Sequence, residues 1–171
     1  MASRRRAPEL LIYCGATLFI AVLALSAVWD PTIRWLHFFQ AWMYLAVIAL
    51  GIRRNRWGYF AGISAAGLWD YINLFVTTFL RNGVQQLTHY AQTGRLQRPD
   101  LVISIPAWLS NAAVVAGCIW AYSRLRPKAL ADVPRFLLAF VAATAFFALD
   151  IAVCQPRYLG LFPHLLHPHW P

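Results

Sequence analysis

The chain has 171 residues, 60% of them hydrophobic and only 12% charged, with a net charge of +9. A soluble domain is nearer half apolar and a quarter charged, so this is the composition of a membrane protein, and a mean hydropathy of +0.53 agrees. The positive charge does not point to a nucleic-acid partner: the arginines cluster at the ends of apolar runs, where they anchor helices, and form no basic stripe with stacking or groove-reading elements.

Five apolar runs reach the roughly 20 residues that a helix needs to cross the hydrocarbon. They lie at about 9–29, 33–52, 57–80, 101–123 and 134–154. Runs of this length are helices, since the backbone finds no water in lipid. Arg4, Arg5 and Arg6 precede the first run, which is too long for the core of a cleavable signal and lacks a small-residue cleavage site. "WDPTIRW" makes a tight turn at Asp30 and Pro31. Arg53, Arg54 and Arg56 separate the second and third runs. In "RNGVQQLTHYAQTGRLQRP", Val84, Leu87 and Ala91 share a helical face, with Gln85, Gln86, His89 and Gln92 elsewhere, which predicts a short amphipathic surface helix at about 82–95. Arg124, Arg126 and Lys128 follow the fourth run, and Arg135 opens the fifth.

These basic clusters fall on one side, against a thinner scatter of Arg34, Arg81, Arg95, Arg98 and Arg157 on the other. The positive-inside rule then places the N-terminus in the cytoplasm and the C-terminus outside. The expected fold is an all-α five-transmembrane-helix bundle, one domain over 1–171. Fourteen arginines against one lysine suggest a GC-rich bacterial genome, hence the cytoplasmic (inner) membrane. Trp29, Trp35, Trp57, Trp120 and Trp170 sit near the expected interfaces, as an aromatic belt requires. Trp42, Trp69 and Trp108 lie deeper, so they pack against or line something.

The polar residues inside the spans carry the functional reading. On a wheel of about 100° per residue, Gly62, Ala66, Asp70, Asn73 and Thr77 share one face of the third span. Small residues at that spacing let helices approach closely, and Gly58-xxx-Gly62 opens the same helix. Arg34, His37, Gln40, Ala41 and Tyr44 share a face of the second span. Ser104, Trp108, Asn111 and Cys118 do so in the fourth, and Ala139, Ala142, Ala143, Phe146, Asp150 and Cys154 in the fifth. With a rise of about 1.5 Å per residue, Asp70 and Asn111 lie about 15 Å from the outer ends of their spans, Asn73 about 10 Å, and His37 and Asp150 about 6 Å.

Polar groups thus gather in the outer half of the bilayer. The expected site is an outward-opening pocket floored by Asp70 and Asn111, with Asn73 beside them, His37, Arg34 and Asp150 toward the mouth, and Trp69 and Trp108 shaping apolar walls. A charged aspartate at a helix centre costs about 2.5–3.5 kcal/mol, so such residues mark sites by default. The competing reading is a structural clasp, with Asp70 bonded to Asn111 or His37.

Much chemistry is excluded. Only His37 is plainly intramembrane, too few for a two-histidine haem, and no HExxH, Walker or nucleophile-elbow motif occurs. Cys14, Cys118 and Cys154 show no metal spacing and read as small packing residues. His164, His167 and His169 stand in "PHLLHPHWP", where prolines break regular spacing; an interfacial tail anchored by Trp170 fits better than a metal site. No metal or cofactor is expected. The first-ranked function is a lipid- or small-ligand-binding protein or an accessory subunit of a membrane complex. The second is an intramembrane enzyme with Asp70 as acid/base, His37 or Asp150 as its partner, and Trp69, Tyr71 and Trp108 shaping an apolar pocket, acting on a lipid- or isoprenoid-like substrate. The third is a small ion- or proton-coupled transporter. Expected partners are the bilayer, an apolar small molecule, and other membrane subunits or a second copy.

Overall fold

The structure, a computed structural model, describes residues 2–165, with side chains placed for 7–160 and Pro163. Among the described residues there are helices and no strand. Helix α1 (Ala2–Trp29) is reversed by Asp30, whose Oδ1 accepts from Thr32 N at 3.0 Å and from Thr32 Oγ1 at 2.6 Å. This cap and Pro31 at the first position of a one-turn 3₁₀ segment (Pro31–Ile33) lead into α2 (Arg34–Ile52). The end of α2 is closed by amides of Arg54 and Asn55 donating to the carbonyls of Gly51 and Leu50, at 2.9 and 3.0 Å. Arg54 there adopts the left-handed φ of 50°. Asn55 Oδ1 then caps α3 (Arg56–Tyr71) by accepting from Trp57 N at 2.9 Å.

The third span departs from expectation. Hydropathy predicts one helix over 57–80; instead Ile72–Val76 winds as a π turn, and the chain bends by 65° before α4 (Phe79–Thr93). The cause is local polar chemistry. Asn73 Nδ2 donates to the Trp69 carbonyl at 2.9 Å, the Thr77 amide reaches back to the Ile72 carbonyl at 2.9 Å, and Thr78 takes a left-handed φ of 53°. Side chains of this kind compete with the backbone for its helical partners. The surface helix therefore begins at Phe79, ahead of the expected 82, and ends at Thr93 because left-handed Gly94 caps it.

A single turn, α5 (Pro99–Val102), precedes α6 (Ser104–Ser123) and α7 (Asp132–Cys154), and a 3₁₀ stretch (Pro156–Leu165) follows. Among the described residues, four helices are long and apolar enough to cross a membrane: Ala7–Trp29, Pro31–Ile52, Pro99–Ser123 and Asp132–Cys154. The bent α3–α4 pair makes a fifth if it counts as one span. The molecule is thus an all-α integral membrane bundle.

Helices α1 and α6 form the most extensive contact. A Cβ added at Gly15 would lie 2.7 Å from the Ser110 carbonyl oxygen, and one at Gly117 2.9 Å from the Pro8 carbonyl oxygen. Lipid tails give helices no hydrophobic reason to associate, so close backbone packing does that work. Gly58 and Gly62 play the same part on α3, against Leu50 of α2 and Cys118 of α6. Cys118 fills the core, whereas Cys14 is exposed and so does not pack there as the sequence suggested. Leu137, Leu138, Val141, Leu149 and Val153 of α7 are each more than half exposed, a face suited to lipid.

The basic end is tied at one carboxylate that sequence reading passed over. Arg56 Nη1 donates to both oxygens of buried Asp132, at 2.9 and 3.0 Å. Arg135 Nη1, the Tyr122 hydroxyl and the Ala129 amide add bonds at 3.0, 3.1 and 3.1 Å. Arg56 Nη2 also donates to the Pro127 carbonyl. Asp132→Ala removes the shared acceptor. It is expected to lower the melting temperature in detergent and to speed tryptic cleavage after Lys128; unchanged melting and cleavage would show that the node holds nothing together.

Candidate functional site

Where α3 bends, the bundle opens into a cavity of about 570 Å³. The end of α1, the start of α2, the π turn, the segment leading into α6 and the end of α7 surround it. Its wall is mainly apolar, with Val22, Leu36, Trp69, Val76, Ile103 and Phe147 prominent, and His37, Gln40, Asn73 and Thr77 interrupt it. Asp30, Arg98 and Asp100 also line it.

The cavity is braced by ties between its walls. Arg98 grips Asp100 through two bonds at 2.9 and 2.6 Å, and its amide donates to Gln86 Oε1 at 3.1 Å. Gln155 Nε2 donates to the Thr32 carbonyl, and Arg157 Nη2 donates to Thr32 Oγ1 at 3.2 Å and stands 3.9 Å from Asp30 Oδ2. The two Thr32 bonds hold the Asp30 carboxyl below the usual carboxylate range, with Arg157 adding a smaller pull.

Each polar group on the wall has a defined state. His37 Nδ1 lies 3.1 Å from the Leu23 carbonyl oxygen. A carbonyl only accepts, so Nδ1 carries a proton, and in the uncharged ring Nε2 is then an acceptor. Asn73 is oriented by its bond to the Trp69 carbonyl, and the Thr77 hydroxyl stands 3.5 Å from its Oδ1. Gln40 is buried, and its Oε1 has no partner among the described residues.

Beneath the wall, Phe19 packs its ring against Tyr44 at 4.4 Å and Trp69 at 4.9 Å. The Tyr44 hydroxyl donates to Asn111 Oδ1 at 2.6 Å, and both residues are fully buried. Asp70 Oδ1, Asn111 Nδ2 and Ser64 Oγ have no partner among the described residues. Buried polar atoms without partners are few in folded proteins, and each calls for an explanation.

The structure thus divides the residues singled out by sequence. His37, Asn73 and Trp69 meet on the cavity wall. Asp70 and Asn111 lie off the wall, and Asn111 is bonded to Tyr44 beneath it. His37 bonds to Leu23 and does not converge with them. Arg34 is exposed, and Trp108 is half-buried away from the cavity. Asp150 is buried on α7 between wall residues Phe147 and Ile151 without itself lining the cavity. Gln40 and Tyr44, set on the His37 face by the wheel, were not counted as site residues. A buried glutamine one turn from a buried tyrosine was the available signal. Trp42, expected to pack or line something, is 56% exposed on the outside of α2.

Among the described residues no group of three or more His, Cys, Asp or Glu is placed to hold a metal. The side chains of His164, His167, His169 and Trp170 lie outside those described. Comparison with family models, with curated proteins and with solved structures finds no match. The functional reading therefore rests on geometry. A cavity of several hundred Å³ with apolar walls and a few oriented polar groups suits a small amphiphile.

Proposed function

We propose that this is a multi-pass protein of the bacterial cytoplasmic membrane, N-terminus inside, that binds a small lipid- or isoprenoid-like amphiphile in an outward-facing vestibule. The observation that carries this reading is the 570 Å³ cavity whose apolar wall holds His37, Gln40 and Asn73. The wall takes the apolar body, at about 25 cal/mol per Å² removed from water. Nε2 of His37 accepts from a hydroxyl or amide on the ligand, and the Gln40 and Asn73 side chains on the wall help orient it.

Two further observations favour binding over the alternatives. Asp70, the acid/base of an enzyme reading, does not line the cavity, and His37 is engaged with Leu23. A transport path would have to pass the close glycine contacts at Gly15, Gly62 and Gly117. An accessory role is also supported by one surface: Trp35, Phe38 and Trp42 form an exposed aromatic row on α2, with ring centroids 5.8 and 6.2 Å apart, on which a partner helix could pack.

The test is native mass spectrometry of protein purified in mild detergent, followed by back-titration of the retained molecule. One small molecule per chain is expected. Gln40→Leu and Asn73→Ala are expected to weaken its retention about tenfold, or roughly 1.4 kcal/mol. Gln40→Leu should leave melting unchanged, because it removes a buried acceptor that has no partner. Asp70→Asn should retain the ligand. If Asp70→Asn abolishes retention, the carboxylate touches the ligand and the enzyme reading gains; if no amphiphile binds the wild type, the binding reading fails.

A further inference from the structure

A second cavity, of about 420 Å³, lies at the opposite, arginine-rich end of the bundle. Pro8, Glu9, Arg54, Tyr59, Arg124 and Leu125 line it. Two cations and a carboxylate meet there. Glu9 is the only glutamate of the chain, and its side chain is 16% exposed. Its Oε1 lies 3.5 Å from Arg54 Nε, while Oε2 is buried with no partner among the described residues. A buried carboxylate oxygen without a donor is destabilising.

Arg54 carries a cost of its own. It occupies the position after α2 where glycine is favoured, and its φ of 50° is strained for a residue with a Cβ, by about 1–2 kcal/mol. An arginine there aims a guanidinium at the cavity that glycine would not supply. Arg124 supplies the second, with its guanidinium carbon 4.6 Å from the Trp120 ring centroid. Beside the polar groups stand Pro8 and Leu125, and Leu10, the residue after Glu9 on α1, is 61% exposed.

We propose that this cavity holds the headgroup of an aminophospholipid. The phosphodiester lies between the guanidinium groups of Arg54 and Arg124, which match phosphate as planar donors. The primary ammonium donates to the Glu9 carboxylate. A headgroup with a phosphate and no amine adds negative charge beside Glu9 and brings no cation of its own to balance it. A choline headgroup has no N–H to give. A headgroup with both a phosphodiester and a primary ammonium offers an opposite charge to all three groups, and the apolar neighbours receive the start of an acyl chain.

The test uses full-length protein stripped of lipid in detergent, titrated under native mass spectrometry with dioleoyl lipids bearing phosphoethanolamine, phosphoglycerol or phosphocholine headgroups. Soluble glycerophosphoethanolamine serves as competitor. The phosphoethanolamine lipid is expected to bind about tenfold more tightly than either other lipid. Arg54→Gly relieves the strained backbone, so it should melt at or above the wild-type temperature while binding that lipid at least about tenfold more weakly. Glu9→Gln should remove the preference for phosphoethanolamine over phosphoglycerol. Equal binding of the three lipids by the wild type, or unchanged affinity in a folded Arg54→Gly variant, would overturn the proposal. So would competition by the soluble headgroup at the lipid's own affinity, since that would make the source a free phosphodiester.

Discussion

Gly15→Val is expected to destabilise the bundle by about 3 kcal/mol, at the upper end of what overpacking costs. A Cβ at Gly15 meets the Ser110 carbonyl at 2.7 Å and the Val114 amide nitrogen at 3.1 Å. Both are backbone atoms of α6, so no rotamer change relieves the clash and the two helices must part. Because α1 and α6 share the most extensive contact in the molecule, parting them loosens the centre of the bundle. Gly67→Ala is the matched control. A Cβ at Gly67 meets no atom of the described residues within 4 Å, and alanine is the better helix former by about 1 kcal/mol. Thermal unfolding in one detergent should therefore separate the variants widely, with Gly67→Ala at or above wild type. Equal melting temperatures would show that α1 and α6 do not pack as described.

The second large effect is at the buried Tyr44–Asn111 bond. Tyr44→Phe strands Asn111 Oδ1, and Asn111 Nδ2 already has no partner among the described residues. Stranding a buried polar group costs about 1–3 kcal/mol. Asn111→Leu strands the buried Tyr44 hydroxyl, at similar cost. Replacing both by apolar residues of like shape leaves nothing unpaired, so Tyr44→Phe with Asn111→Leu should be nearly as stable as wild type. A coupling of about 1–2 kcal/mol is expected, toward the strong end for hydrogen bonds between membrane helices. Additive single effects would mean that α2 and α6 are not joined there.

Four of the five expected spans coincide with helices long and apolar enough to cross a membrane, because length and hydropathy are what a bilayer selects. The bend in α3 was not legible. Its cause is Asn73 and the Thr77–Thr78 pair competing for backbone partners, and an apolar run of 24 positions hides three such side chains. The bend also limits the wheel. A π turn inserts a residue and rotates everything beyond it by about 100°, so Asp70 and Thr77 no longer share a face: Thr77 lines the cavity and Asp70 does not. Depth alone predicted a gathering of polar groups at one end; of those residues His37 and Asn73 reach the cavity wall, while Asp70, Asn111, Arg34 and Asp150 do not. The partners of His37 and Asn73 were not legible, since both are backbone carbonyls, which every residue carries. At the other end, reading the arginines as topological anchors hid what they bind. Glu9 and Asp132 were the carboxylates placed among those basic clusters, and that placement was the missed signal.

The claim that the vestibule holds an amphiphile is tested most directly by photo-crosslinking. A diazirine-bearing isoprenoid-like amphiphile is bound to the protein in detergent and irradiated, and the labelled peptides are mapped. The expected result is saturable labelling within Leu36–Gln40 and Trp69–Phe79, suppressed by excess unlabelled amphiphile and weakened in Gln40→Leu. Labelling confined to the exposed α7 face, from Leu137 to Val153, and growing without saturation would mean that the protein only dissolves the probe as lipid does.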